Sequence, residues 1–284
     1  MPIRILITGG NGFLGKHVSK AMSRDRSVEI LTPNSSKLNV LDYSSLSRFI
    51  NDYYPCVILH MAAVCGGILA NKNSPADFLR DNTQMALNIY EAARQYNVPQ
   101  VYSLGSVCAY PKYCPTPFRE NNIWNGYPEE TNAPYGIAKR TLLTLSQTYR
   151  QQYGIGGAHL IPVNMYGEHD HFDLVNSHVI PALIRKFDDA ICSNSDTVFC
   201  WGTGEATREF LYAGDAAEVI AKAVLTGFNN PDPVNLGTGQ DVSIKDLASL
   251  IGRLMGFNGN IVFDGSVSDG QTKDYWTFLV LKSY

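Results

Sequence analysis

No stretch of this chain stays apolar for the ~18 positions that a membrane-spanning helix requires. The N-terminus enters a β-rich run at once, with no charged segment leading into a long apolar core, so an unexported, cytoplasmic protein that does not engage membranes is expected. Positive charge is not in excess either. Lys and Arg number 23 against 26 Asp and Glu, a formal net charge of -3, and without a basic stripe nucleic acid is set aside as a main partner. Cys56, Cys65, Cys108, Cys114, Cys192 and Cys200 show neither the paired short spacing of a zinc site nor a compact disulfide framework. No metal centre is expected, and reduced thiols fit the pattern. Internal repeats and low-complexity segments are missing as well. What is present is 284 residues, 45% hydrophobic and 17% charged, enough for one large unit or two lobes with sizeable cores.

The run Arg4-Ile5-Leu6-Ile7-Thr8 reads as a strand. Gly9-Gly10-Asn11-Gly12-Phe13-Leu14-Gly15 follows, and then a helical pattern through Leu14, Val18, Ala21 and Met22. Gly9, Gly12 and Gly15, three apart, supply the turn, the close backbone approach to a pyrophosphate and the tight helix-to-strand contact of a dinucleotide site. Further strands are expected at Val28–Leu31, Cys56–His60, Gln100–Leu104 and Ala158–Pro162. Helices are expected over Tyr43–Tyr53, from Pro75 behind Ser74, and over Pro134–Gln152. This alternation predicts an α/β protein with a doubly wound parallel sheet, ligands lying at the C-terminal strand ends.

Beyond residue 165 the rhythm breaks. A dinucleotide-binding domain over 1–165 and a smaller α/β substrate lobe over 166–284 are expected, with some exchange of strand and helix between them. The second lobe should hold a helix with Arg185 and Lys186, a helix from Asp215, a strand at Val234–Leu236, a helix capped by Ser243 with Asp246 three later, and a strand at Ile261–Phe263. After Leu31 no acid follows to bind a free ribose 2′-hydroxyl. Thr32 to Lys37 offers hydroxyls and one cation, which favours NADP over NAD. Asp42 is open between reaching the adenine and capping the helix that begins at Tyr43. His60 reads as a strand histidine with its hydrogen bonds satisfied.

Tyr135 and Lys139 stand four apart in the expected helix and share a face. A free phenol has a pKa of ~10, so proton exchange near neutrality needs a downward shift of ~3 units, about 4 kcal/mol. A lysine ammonium ~4 Å away at an effective dielectric of ~20 supplies an interaction of that order. Ser106, at the end of a strand about thirty residues earlier, can hydrogen-bond the same substrate oxygen. The set suits hydride transfer at a carbonyl.

Thr8 to Gly15 together with Tyr135-Gly-Ile-Ala-Lys139 resembles the extended short-chain dehydrogenase/reductase superfamily, with its Rossmann fold. Five narrower motifs are similar to the GDP-L-fucose synthase family: Gly66–Asn71, Pro75–Phe78, Gly105–Pro111, Asn176–Leu183 and Trp201-Gly-Thr-Gly with Arg208–Leu211. The resemblance spans residues 4 to about 270. It implies conversion of GDP-4-keto-6-deoxy-D-mannose to GDP-L-fucose with NADPH, by a homodimer.

Epimerising carbons beside a ketone needs one group to remove a proton from one face and another to deliver one to the opposite face. By resemblance Cys108 is that base and His178 that acid, while Tyr135 protonates the C4 oxygen held by Ser106. The resemblance also implies that Thr8, Gly9, Asn11, Gly12, Phe13, Leu14 and Gly15 hold the cofactor's phosphates. Lys37 and Asp42 fall on its adenosine side, and Leu104, Gly105, Tyr135, Lys139, Pro162, Asn164, Met165 and His178 near its nicotinamide half. Lys186, Trp201, Arg208 and Asp269 fall at substrate contacts. The chain departs from the family in two places. It has no arginine over Asn34–Ser36, and after Asp269-Gly270 the family pattern gives way to an apolar run, Tyr275–Leu281, so an altered, shortened C-terminus is expected. The rival readings are a related reductase of a 3,6-dideoxy ketosugar, a plain sugar 4-epimerase and a non-catalytic NADP-binding protein.

Overall fold

A computed structural model describes residues 2–173, 177–266 and 273–274 of the chain. Its first part alternates as β1 (Ile3–Thr8), α1 (Phe13–Met22), β2 (Val28–Leu31), α2 (Tyr43–Tyr53), β3 (Val57–His60), α3 (Ile68–Asn73), α4 (Pro75–Gln95), β4 (Gln100–Leu104), α5 (Ala133–Tyr153) and β5 (His159–Pro162). Successive side chains of a strand point to opposite faces, and β1 is apolar on both. Ile5 and Ile7 pack into a core shared with Val18 and Met22 of α1, while Leu6 packs with Leu46 and Ile50 of α2 and with Met85 and Ile89 of α4. A strand buried on both faces needs helices above and below it, which is why these strands lie parallel with helical crossovers.

The second part adds β6 (Asn164–Tyr166), α6 (Val179–Cys192), β7 (Thr197–Trp201), β8 (Thr207–Tyr212), α7 (Ala213–Leu225), β9 (Val234–Leu236), β10 (Asp241–Ser243), α8 (Ile244–Leu254), β11 (Asn260–Asp264) and β12 (Lys273–Asp274). Among the described residues the main sheet runs β2-β1-β3-β4-β5-β9, every pair parallel. This is the doubly wound, Rossmann-type sheet, and its order reverses at β1, between β2 and β3. β9 therefore returns to the first sheet, and Ala216, Ala217 and Ile220 of α7 share the core of α1. The remaining strands form a small sheet of β10, β8, β12 and β6 and a β7–β11 pair. Leu183 and Phe187 of α6, Val198 of β7 and Leu247 and Ile251 of α8 form a separate core beneath them. No helix among the described residues is long and apolar enough to cross a membrane.

Several elements of the second part have no clear sequence signal. β7 reads Thr-Val-Phe-Cys-Trp, apolar almost throughout, yet only Val198 and Cys200 point inward while Phe199 and Trp201 face out. β6 and β10 are three residues each, too short for a period to emerge. Asn176, Asp269 and the run Tyr275–Leu281 lie outside the described residues.

Candidate active site

The C-terminal ends of β1, β3, β4 and β5 bring the expected residues to one edge of the sheet. At β1, Thr8 is buried, its Oγ1 2.8 Å from His60 Nδ1 and accepting from the Ala62 N–H at 3.3 Å. Burial, then the charge of Lys139, pushes His60 down to about 3, so it stays a neutral strand residue bonded to Thr8. The glycine turn closes by a Gly12 N–H to Gly9 carbonyl bond of 3.0 Å. A Cβ on Gly15 would lie 2.1 Å from that Gly9 oxygen, so only glycine lets α1 start this close to β1. Asn11 Nδ2 donates to the Thr32 carbonyl at 3.1 Å and ties the turn to the end of β2. Gly12 leaves the N-terminus of α1 without a side-chain cap, and its first turn carries no acid. Backbone N–H groups there are available to an anion. Phe13 is partly buried, and Leu14 points into the core. Lys37 is exposed in the turn after β2. Asp42 accepts from the Ser44 N–H at 2.9 Å as the cap of α2, one of the two roles open for it.

At the end of β4 the residues expected to carry the reaction gather. Gly105 N–H donates to the Leu160 carbonyl at 2.7 Å, and Ser106 Oγ accepts from the Cys108 N–H at 3.2 Å, starting a single 3-10 turn over Val107–Ala109. A Cβ on Gly136 would sit 2.1 Å from the Cys108 carbonyl oxygen, so α5 rests directly on this turn. Arg140 Nε clamps the turn's far end by donating to the Ala109 carbonyl at 2.6 Å. The Tyr135 phenol lies close enough to Ser106 to be influenced by its hydroxyl, and Phe78 packs edge-on to its ring at 6.2 Å.

The lysine's part differs from the expected one. Lys139 Nζ donates to the Leu104 carbonyl at 2.9 Å and lies 5.4 Å from the centre of the Tyr135 ring. Burial carries the Tyr135 phenol well above its usual range, with Cys65 and Cys108 adding to the rise and the nearby Ser106 hydroxyl opposing it. Lys139 is itself pushed down to about 8 by burial. Desolvation disfavours the charged form of both groups, so Tyr135 is held as a protonated donor. Cys65, in the loop after β3, reaches the surface, yet its crowded setting raises its thiol, with Lys139 lowering it and Asp170 raising it. It thus lies within electrostatic reach of both Lys139 and Asp170.

Across the cleft, Pro162 ends β5 against Leu236. Asn164 Nδ2 donates to the Glu209 carbonyl at 3.2 Å, and Met165 packs on the main core. His178 stands at the start of α6 without a side-chain capping bond, its side chain 46% exposed and its Nδ1 3.8 Å from Asp170 Oδ1. Lys186 Nζ lies 4.5 Å from the centre of the half-exposed Trp201 ring and donates to the Phe199 carbonyl at 2.9 Å. Burial lowers the Lys186 ammonium. Arg208 stands on β8, with Nη1 donating to the Thr207 carbonyl at 2.8 Å.

Three supporting residues escape a reading of the sequence. Asn82 of α4 holds both backbone groups of Val64, accepting from its N–H at 3.0 Å and donating to its carbonyl at 2.9 Å, and so sets the loop that carries Cys65. Glu209, wholly buried beside Arg208, accepts from the N–H groups of Thr238 and Gly239 and pins the turn after β9. Asp170 is the third. Glu209 falls within the Arg208–Leu211 motif, which does not show what it holds, and no local pattern ties Asn82 to Val64 or Asp170 to His178.

A doubly wound sheet with an uncapped glycine turn at its switch point, beside a Ser…Tyr-x-x-x-Lys set, defines a dinucleotide-dependent enzyme of carbonyl chemistry. The chain belongs to the NAD dependent epimerase/dehydratase family, whose pattern matches residues 5–237. Within it, the chain is 38% identical over 279 residues to the GDP-L-fucose synthase of Escherichia coli (strain K12), covering 94% of this chain and 86% of that one. It is 37% identical over 272 residues to the GDP-L-colitose synthase of Yersinia pseudotuberculosis, covering 95% and 88%. The crystal structure of a GDP-L-fucose synthetase from Naegleria fowleri bound to NADP has the same fold, with a TM-score of 0.84 at 29% identity over 96% of this chain and 85% of that one.

Proposed function

We propose that this chain epimerises C3 and C5 of GDP-4-keto-6-deoxy-D-mannose and reduces its C4 ketone, as an NADPH-dependent GDP-L-fucose synthase. The observation that carries this is the gathering of Ser106, Cys108, Tyr135 and Lys139 at the end of β4. A plain 4-epimerase has no need of Cys108 and His178. The uncapped N-terminus of α1 and the buried Lys139 ammonium fit a dinucleotide. Asn11, Gly12, Phe13 and Leu14 would hold its phosphates, and Lys139 its nicotinamide ribose. NADPH, when bound, supplies the hydride for C4.

The residues divide the rest of the reaction. The Cys108 thiolate removes the proton beside the ketone, and the His178 imidazolium delivers one to the opposite face. Ser106 holds the C4 oxygen by a hydrogen bond, and the protonated Tyr135 phenol gives it the proton that completes the alcohol. Lys186, Trp201 and Arg208 bind the sugar nucleotide, through charge on the diphosphate and ring contact. In this reading residues 1–165 carry the cofactor and 166–284 the substrate, with α7 and β9 crossing back. Two copies pair through α4 and α5, where Leu79 and Leu87 of α4 stand exposed. A reducing cytoplasm suits a base that must remain a thiol. The similarity to a GDP-L-colitose synthase supports a second reading, a 3,6-dideoxy ketosugar epimerised at fewer centres.

Incubation with GDP-4-keto-6-deoxy-D-mannose in deuterated water, with and without NADPH, tests the proposal. Deuterium at both C3 and C5 plus NADPH oxidation to GDP-L-fucose is the expected result. Turnover confined to the 3,6-dideoxy ketosugar would select the second reading, and neither exchange nor oxidation of any ketosugar by protein that binds NADPH would refute both. Cys108→Ser and His178→Asn should cut deuterium uptake by about a hundredfold or more, whereas Tyr135→Phe should abolish NADPH oxidation and keep the uptake.

A further inference from the structure

His178 shows its imidazole to solvent on one side, and a carboxylate stands behind it. The Asp170 side chain is only 4% exposed, and its Oδ1 lies 3.8 Å from His178 Nδ1. Oδ1 also accepts from the neighbouring His171 N–H at 2.8 Å, while the buried Oδ2 has no hydrogen-bond partner among the described residues. A buried carboxylate oxygen without a donor is costly, and such a group calls for an explanation, of which a catalytic role is one. The loop bearing Asp170 is held from outside. Tyr212 Oη donates to Glu168 Oε2 at 2.8 Å, and His17 Nε2 of α1 donates to the Glu168 carbonyl at 2.9 Å. Two residues before Asp170, the loop is therefore tied to α1 and to the end of β8.

We propose that Asp170 is a positioning residue for the acid step: it holds His178 with Nδ1 turned inward and Nε2 turned to the sugar. This rests on the epimerase reading above. Donation of the Nε2 proton to the substrate carbon leaves the neutral imidazole with its hydrogen on Nδ1, the form that a carboxylate at Nδ1 favours. The ring then regains a proton at Nε2 from solvent, ready for the second centre. The gap of 3.8 Å closes to a hydrogen bond when substrate orders the ring, since catalytic hydrogen bonds tighten in the bound complex. An aspartate that only orients an imidazole keeps the ring in its working tautomer and need not itself accept the proton.

The test compares wild type with Asp170→Asn and Asp170→Glu in two assays. With 15N-labelled histidine, and His178→Asn to assign the signal, the wild-type ring should carry its hydrogen on Nδ1 when neutral, and Asp170→Asn should shift it towards Nε2. Deuterium uptake from solvent into the sugar should fall about tenfold or more in Asp170→Asn, in kcat and not KM, with NADPH binding and the unfolding midpoint unchanged. Asp170→Glu should restore part of the rate. The same tautomer in both proteins, or wild-type uptake in Asp170→Asn, would overturn the proposal. So would equal losses of folding and uptake in both variants, which would mark a structural role. If wild type itself takes up no deuterium from any ketosugar, the functional reading fails, and the tautomer of His178 alone decides the role of Asp170.

Discussion

Replacing Lys139 with methionine should end reduction and yet leave the protein at least as stable near neutrality. Lys139 is 5% exposed, and burial lowers its ammonium from 10.5 to about 8. In the unfolded chain the group holds its proton up to the higher value, so below pH 8 folding buries a charge. A shift of about 2.5 units at 1.36 kcal/mol each makes that cost about 3 kcal/mol. Methionine removes it but strands the Leu104 carbonyl that Lys139 Nζ reaches at 2.9 Å, a loss of about 1–3 kcal/mol. The two nearly offset at pH 7. The pH dependence separates them. Between pH 8 and 10.5 the unfolded state binds the extra proton, so the native lysine becomes less costly as pH rises. The stability of Lys139→Met relative to wild type should therefore drop by about 1.3 kcal/mol between pH 7 and pH 9, since all other groups titrate alike in both proteins. Urea unfolding at those two pH values reads it. A difference that stays constant would refute the reasoning, because it would mean that Lys139 is as easily charged when folded as when unfolded.

Two further outcomes follow from buried groups. His60 and His159 are both carried down to about 3, so the unfolded state takes up their protons first as pH falls through ~6.5. The pair should cost about 2.5 kcal/mol of stability between pH 7 and pH 5.5, and urea midpoints that stay flat over that interval would contradict their burial. Gly15→Ala puts a methyl 2.1 Å from the Gly9 carbonyl oxygen. It should destabilise by about 1–3 kcal/mol and weaken NADPH binding, and a wild-type dissociation constant by fluorescence titration would show that the turn can widen.

Much of the first half was legible in local pattern. The strand at Arg4–Thr8, the glycine turn, the helix over Tyr43–Tyr53 and the alternation up to Pro162 declare themselves because each segment's period and caps agree with its tertiary setting. The four-residue spacing of Tyr135 and Lys139 likewise placed both on one helix. Sequence alone did not decide what their proximity does. Lys139 donates to the Leu104 carbonyl, and burial is what holds the proton on Tyr135. Desolvation depends on every atom packed around a group, and no spacing rule carries that sum.

The same holds for the second half. Its short strands β6, β7 and β10 exist because β8 and β11 pair with them across the chain. Asp170, Asn82 and Glu209 matter only through segments that the fold brings to them. Sequence by itself determined the dinucleotide sheet, which is written in local periodicity, and named the candidate reactive side chains. Only the tertiary structure decided which carboxylate stands behind His178 and which phenol keeps its proton, because burial and long-range contact set those.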